Sequence, residues 1–368
     1  MKIVLTGGCT GGHIYPALAI GNKFRQENAE NEVIYIGHKF GMEKSIVPAA
    51  GYELKTVTAE WFHRENPIKM IRTAIKTQKG KKEATKILKE FKPDIVVSTG
   101  SFVSVPVVMA AHSLGIPFYI HEQNGFPGVS NKLFAKWSNL IFLGFESARK
   151  YFKADDSKII YSGNPVRDEF KNRDKAADRK KLALSETDTV ITVFGGSLGS
   201  ETTNKIGESL IKEYGGKAGF VIIFGTGKEY FEEVKARLHE SKMDKFENIK
   251  LMPYIQDMPA VMSASDLVIS RAGALSVAEV TASGRAAIFI PSPNVTADHQ
   301  YYNAKAVADG GGAIIIREND NTSEEVLKSV RELTKEGTEL EKMGTLCAKC
   351  APNEATDIIY KNIMETYK

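Results

Sequence analysis

Two apolar runs in this chain each end in a cluster of glycines, an arrangement suited to binding anions through the backbone. The first is Lys2-Ile-Val-Leu-Thr6, followed by Gly7-Gly8-Cys9-Thr10-Gly11-Gly12-His13. The second is Val190-Ile-Thr-Val-Phe194, followed by Gly195-Gly196-Ser197-Leu198-Gly199-Ser200. A glycine turn at the carboxyl end of a strand lets N–H groups approach a ligand closely. The following helix adds the positive end of its dipole, which suits a phosphate. His13 closes the first cluster. An imidazole with an ordinary pKa near 6.5 is suited to general-base work. Its other readings are a group that binds a phosphate or one that holds the turn. Glu122 is the rival base, because burial raises a carboxyl pKa.

A third segment, Ser270-Arg-Ala-Gly-Ala-Leu-Ser-Val-Ala-Glu279, also follows an apolar run. Gly273-Ala274 starts a helix there and leaves N–H groups for a diphosphate. Glu279 falls four residues after Leu275 and three after Ser276, on the same helix side and within reach of ribose hydroxyls. A helix glutamate alone is usually solvated; the glycine-led start just before it favours the ribose.

The elements that position these residues alternate. Strand-like runs are Lys2–Thr6, Glu32–Ile36, Asp94–Ser98, Phe118–His121, Leu140–Leu143 and Ile159–Tyr161. Helical patterns begin near Ile14, Gly41, Ile68, Lys81, Val103 and Asn131. A second strand series is Val190–Phe194, Gly219–Phe224, Ile249–Met252, Leu267–Ser270, Ala286–Ile290 and Ala313–Ile316. Continuous apolar strands alternating with helices predict doubly wound parallel sheets, here two Rossmann-like α/β domains. The turn signal Gly163-Asn164-Pro165 sets the boundary, giving domains over 1–163 and 164–352. A last helix, 353–368, is expected to pack back on the first domain.

Length and composition agree. The chain has 368 residues, 42% apolar and 26% charged, which fits two soluble domains. No apolar run reaches the roughly 18–20 residues that span a bilayer, and the opening strand pattern predicts no signal peptide. Three cysteines, Cys9, Cys347 and Cys350, fit a reducing compartment. The lone Cys347-x-x-Cys350 pair reads as incidental helix residues. Residues 63–92 hold ten Lys/Arg against three acids, while the whole chain is only +4. Such local basicity points to a surface partner rather than to nucleic acid. Within it, Ile68, Ile71 and Ile75 recur at i, i+3 and i+7, beside Lys69, Arg72, Lys76 and Lys79. An apolar strip flanked by cations suits an anionic membrane surface; an ordinary amphipathic helix with its strip in the core is the alternative. The following Ala84, Ile87, Leu88 and Phe91 read as core.

The nucleotide is not a dinucleotide of the nicotinamide kind. The turn is Gly-Gly-x-x-Gly-Gly rather than G-x-G-x-x-G, and the second strand ends Ile36-Gly37-His38-Lys39 with no acid for a ribose. The P-loop pattern is absent too. Asp155-Asp156 are adjacent in a charged loop and make no persuasive metal pair.

Taken in order, Gly7–His13, His121-Glu122-Gln123-Asn124, Gly163-Asn164-Pro165-Val166-Arg167, Gly195-Gly196-Ser197, Ser270–Leu275 and His299-Gln300 resemble the MurG family over essentially the whole chain. The resemblance implies a GT-B fold, two Rossmann-like domains facing a cleft. It implies inverting β-1,4 transfer of N-acetylglucosamine from UDP to the C4 hydroxyl of the N-acetylmuramoyl unit of lipid I, giving lipid II. Neither cofactor nor metal is expected. It implies a peripheral place on the cytoplasmic face of the bacterial membrane, beside cell-wall synthesis and division proteins. Carried over by motif, Thr10, Gly11 and Gly12 form the first loop. Asn124, Arg167, Ser197, Ile255 and Gln300 contact the donor. Ala272, Gly273, Ala274, Leu275 and Ser276 hold its diphosphate and Glu279 its ribose. Acceptor binding falls mostly to the first domain and donor binding to the second. Two positions depart from the pattern: Ser101, where a second glycine is common, and Leu198, where Gln is common. A UDP-N-acetylglucosamine 2-epimerase shares the two-domain plan and is the alternative. A non-catalytic sugar-nucleotide-binding subunit is a third reading, which His13 disfavours.

Overall fold

Alternate residues of the opening strand enter different cores. Ile3 and Leu5 are buried with Phe24, Tyr35 and Tyr119 on one face, and Val4 is buried with Ile36, Val96 and Val107 on the other. A strand buried on both faces must be apolar throughout, which is why these runs do not alternate. The structure is a computed structural model and describes residues 1–61, 67–196, 198–335, 338–350, 352 and 354–367; of 67–69 and 296 it describes the backbone only.

The chain divides into two compact units, Met1–Arg167 with Pro352–Lys368, and Asp168–Ala351. In unit 1 it runs β1 (Lys2–Thr6), α1 (Gly11–Glu27), β2 (Glu32–His38), α2 (Glu43–Ala49), β3 (Glu53–Val57), α3 (Pro67–Phe91), β4 (Ile95–Ser98), α4 (Ser104–Ser113), β5 (Phe118–Glu122), α5 (Val129–Phe134), β6 (Ile141–Leu143) and β7 (Ile159–Tyr161). Unit 2 holds α6 (Lys175–Lys181), β8 (Thr189–Phe194), α7 (Glu201–Tyr214), β9 (Phe220–Gly225), α8 (Phe231–Glu240), β10 (Ile249–Met252) and α9 (Met258–Ala264). It continues with β11 (Leu267–Ser270), α10 (Ala274–Ser283), β12 (Ala286–Phe289), α11 (His299–Ala308), β13 (Ala313–Ile315), α12 (Thr322–Lys335) and α13 (Thr338–Ala348). The last helix, α14 (Ala355–Tyr367), returns to unit 1. It buries Ile359 and Ile363, pairs Asp357 with Lys23 of α1, and sets Tyr360 edge-on to Phe24.

Both sheets are parallel. Their orders are β3-β2-β1-β4-β5-β6-β7 and β10-β9-β8-β11-β12-β13. Strand order reverses between β1 and β4 in the first and between β8 and β11 in the second, and ligands of open α/β sheets bind outside the strand ends at such points. Thr6 is level with Ser98 there, and Phe194 with Ser270. The predicted glycine loops therefore open at the two switch points.

Two elements differ from the sequence reading. The edge strand β3 was not among the predicted runs, because Glu-Leu-Lys-Thr-Val carries polar side chains toward solvent. The patterns starting at Ile68 and Lys81 belong to one continuous helix, α3. Gly80 interrupts the periodicity without ending the helix. A Cβ there would fall 1.9 Å from the Thr58 carbonyl oxygen, so glycine is required for close approach. Cys347 is buried and its thiol is pushed up to about 12 by burial, while Cys350 donates to the Leu346 carbonyl at 3.2 Å. A thiol so held is a packing group and a poor nucleophile.

Candidate active site

Helix α1 starts at Gly11 with Thr10 at its cap, and the Thr10 side chain makes no capping bond. The first-turn N–H groups are thus not occupied by a cap, the condition for receiving an anion. The preceding turn is tight. Cys9 is left-handed at φ 70°, and a Cβ on Gly8 would fall 1.9 Å from Glu43 Oε1. Glu43, fully buried at the start of α2, accepts from the N–H of Cys9 at 3.2 Å and of His38 at 3.3 Å. It holds the first loop from beneath, and the Cys9 thiol is pushed up by burial and by this carboxylate. The sequence offered no signal for Glu43, since an acid in a first helical turn is common.

His13 is half-buried. Its Nδ1 donates to the Thr99 carbonyl at 2.8 Å and to Gln123 Oε1 at 3.0 Å. The Thr99 hydroxyl in turn donates to the His13 carbonyl at 2.7 Å. The loop after β1 and the loop after β4 are therefore tied at the switch point. In that second loop Ser101 is left-handed at φ 73°, directly after Gly100 at φ 90°. A non-glycine residue there is strained, which explains why a glycine suits the position.

Glu122 is placed differently from a free base. Oε1 accepts from the Asn124 N–H at 3.0 Å and from its side-chain amide at 3.2 Å. Oε2 accepts from the Gly128 N–H at 2.9 Å and from Asn131 Nδ2 at 2.9 Å. Four donors engage both oxygens, so the carboxylate braces the loop that carries Asn124. His121 is fully buried, and burial lowers its pKa to about 4. The unfolded chain protonates this histidine near pH 6.5 and the folded one only near 4. Stability is then complete above about pH 6.5 and is lost as pH falls toward 4, by about 3 kcal/mol in full. Urea unfolding of wild type across that window should show the loss, and His121→Phe should show a shallower one; parallel pH dependences would contradict the assignment. Arg167, which ends the first stretch of unit 1, lies exposed with its guanidinium 5.9 Å from the Tyr15 ring.

In unit 2, α10 begins after Gly273, which provides no side-chain cap, and its first turn has no acid. Leu275, Ser276 and Glu279 lie on its half-buried side, while Ala274, Val277, Ala278 and Val280 are buried. The Ala272 carbonyl ahead of the helix is held by Asn303 Nδ2 at 3.1 Å. Gln300 Oε1 accepts from the Ser292 N–H at 3.0 Å and so shapes the loop after β12. Ala297 and Asp298, both left-handed, lead into that glutamine. The Ile255 side chain is buried against Gly225.

Arg271 was missed as a site residue. Its Nε and Nη2 donate to Ser200 Oγ at 3.1 and 2.8 Å, and its Nη1 pairs with Glu318 Oε2 at 2.6 Å. Ser200 caps α7 at the end of the glycine cluster that follows β8, so Arg271 fixes that loop to the end of the sheet. The signal was its place directly after an apolar strand.

The structure thus groups Thr10, Gly11, Gly12, His13, Glu122, Asn124 and Arg167 in unit 1. It groups Ile255, Ala272–Ser276, Glu279 and Gln300 in unit 2. Ser197 and the side chains of Ile68 and Lys69 lie outside the described residues. Ile71 and Ile75 are each 64% exposed, so that part of the strip does not enter the core. Arg72 and Lys76 both approach Glu60, at 3.4 and 2.7 Å. A second exposed strip, Val129, Leu133 and Trp137, lies on and after α5 with Lys136 over the Trp137 ring. Among the described residues no helix is long and apolar enough to cross a membrane.

Two parallel-sheet domains, each with a glycine-rich turn at its switch point, make up the two-domain plan of the GT-B glycosyltransferases. The chain belongs to glycosyltransferase family 28. The family's N-terminal domain model matches residues 3–143 and its C-terminal domain model residues 190–359. The chain is 40% identical over 368 residues to a UDP-N-acetylglucosamine--N-acetylmuramyl-(pentapeptide) pyrophosphoryl-undecaprenol N-acetylglucosamine transferase of Clostridioides difficile, covering 100% of this chain and 89% of that one. It is 38% identical to the protein of the same name from Lactococcus lactis, covering 100% of each. Among solved structures, Acinetobacter baumannii MurG superposes with a TM-score of 0.77 at 26% identity, over 99% of both chains. A Neisseria meningitidis UDP-GlcNAc 2-epimerase bound to UDP-GlcNAc superposes at 0.69 with 15% identity, over 99% of this chain and 100% of that one, and shares the fold.

Proposed function

We propose that this chain transfers N-acetylglucosamine from UDP-N-acetylglucosamine to the C4 hydroxyl of the N-acetylmuramoyl unit of undecaprenyl-diphospho-N-acetylmuramoyl-pentapeptide, with inversion. The observation that carries the reading is the presence, in one chain, of two switch-point turns able to receive phosphates, only the first of which ends in a histidine. Donor and acceptor each carry a diphosphate. His13 Nε2 takes the proton of the acceptor hydroxyl as its oxygen attacks C1 of the donor sugar. The C1–O bond to UDP breaks, and UDP leaves with the electron pair. The start of α10 meets the charge growing on the leaving diphosphate, and Glu279 accepts from the ribose hydroxyls. Glu122 holds Asn124 in place.

UDP release by the purified chain should depend on the lipid acceptor. Release or epimerisation at full rate without acceptor would favour the epimerase reading, and donor binding without turnover the subunit reading. Because backbone donors at α10 supply the neutralisation, turnover should persist in EDTA. Complete loss, restored by magnesium or manganese, would contradict that source of stabilisation.

The chain acts peripherally at the cytoplasmic face of an anionic membrane. Exposed Ile71 and Ile75, with the cations of α3 and the strip along α5, support that reading. Charge reversal of Lys69, Arg72 and Lys76 together should weaken binding to anionic vesicles by roughly ten- to a hundredfold, at about 1 kcal/mol per basic residue less what Glu60 already offsets. UDP affinity should stay unchanged. Equal sedimentation with vesicles at low and moderate salt would contradict it.

A further inference from the structure

We propose that Gln123 and His121 are positioning residues that hold His13 with its proton on Nδ1 and its lone pair on Nε2. The proposal rests on His13 being the base, but its physical content is a tautomer that is observable by itself.

Gln123 and His121 are both fully buried behind His13. Gln123 Nε2 lies 3.0 Å from the His121 carbonyl oxygen. A carbonyl only accepts, so that end of the amide must be the NH2. The same NH2 lies 2.9 Å from His121 Nδ1, which must therefore carry a lone pair. His121 then has its proton on Nε2, where it donates to the Gly163 carbonyl at 3.2 Å. Burial lowers the His121 pKa to about 4, so the ring stays neutral and Nδ1 stays an acceptor at neutral pH. With its NH2 turned inward, Gln123 presents Oε1 to His13 Nδ1 at 3.0 Å. The Thr99 carbonyl stands at 2.8 Å from the same nitrogen. Both neighbours of Nδ1 are acceptors, so Nδ1 holds the proton and Nε2 the lone pair. The described residues offer Nε2 no hydrogen-bond partner, which leaves it for an acceptor hydroxyl. A relay of four groups, anchored at Gly163, thereby acts together with the Thr99 carbonyl to set the polarity of the base.

The test is nitrogen-15 NMR of the full chain labelled at histidine, with His13 assigned by its loss in His13→Asn. At pH 8 the His13 Nδ1 should give a protonated signal and Nε2 an unprotonated one. Gln123→Met should bring in a measurable fraction of the other tautomer. It should also lower kcat by roughly ten- to a hundredfold, the usual cost of losing a partner that orients a functional imidazole, with both KM values within about twofold. A proton on Nε2 in the wild-type chain would overturn the proposal, whatever the variant does. So would a Gln123→Met protein with wild-type kcat and wild-type His13 signals. If His13→Ala keeps its kcat while the tautomer is as described, the base role fails and the relay stands.

Discussion

Replacing His13 by alanine should lower kcat by roughly 10²–10⁴-fold, the usual contribution of a positioned general base. The donor contacts proposed in unit 2 are untouched, so UDP-N-acetylglucosamine affinity should change by less than about twofold. Glu122 is the other titratable candidate, and its two oxygens are already engaged by Asn124, Gly128 and Asn131. Protonating it would turn an acceptor into a donor facing donors. Steady-state kinetics with a short-chain acceptor separates the cases. A fall in kcat with unchanged KM values marks a group that acts in the transition state. A rise in acceptor KM alone would make His13 a phosphate-binding residue.

Glu279→Ala should weaken UDP and UDP-N-acetylglucosamine together, by about ten- to a hundredfold. In the proposed donor complex the Glu279 carboxylate, on the half-buried side of α10, accepts charge-assisted bonds from the ribose hydroxyls, worth roughly 1.5–3 kcal/mol in total. Both ligands carry the same ribose, so both should lose the same amount. A 2′,3′-dideoxyuridine donor has already lost those bonds and should be nearly indifferent to the substitution. Changes that delete one shared contact from opposite sides do not add. Calorimetry on the four combinations gives the coupling directly. Additive losses, or wild-type affinity in a folded Ala variant, would return Glu279 to a solvated helix position.

Buried parallel strands were the most legible part of the chain. Val190–Phe194 and Leu267–Ser270 read as continuous runs because every residue in them is buried. The edge strand Glu53–Val57 escaped because one side of it meets water. The patterns from Ile68 and Lys81 did not read as one helix because sequence does not show the Thr58 carbonyl that approaches Gly80 between them. Within the site, glycine loops and the helix start at Gly273 were legible from local chemistry. Glu43 and Arg271 were not, because each acts on a loop distant in sequence. Glu122 illustrates the same limit: its type suggested a base, and only the donors around it turn it into a brace.

The central claim is that this chain moves N-acetylglucosamine onto a lipid-linked muramoyl acceptor. It is tested most directly by incubating the purified chain with UDP-N-acetylglucosamine, radiolabelled in the sugar, and a short-chain analogue of lipid I, then separating the lipid fraction. The account predicts label in the lipid, one UDP released per sugar transferred, and a β-configured linkage to the C4 oxygen of the muramoyl unit. Label that stays with UDP, appears as free or epimerised sugar, or enters lipid through an α-linkage would contradict it.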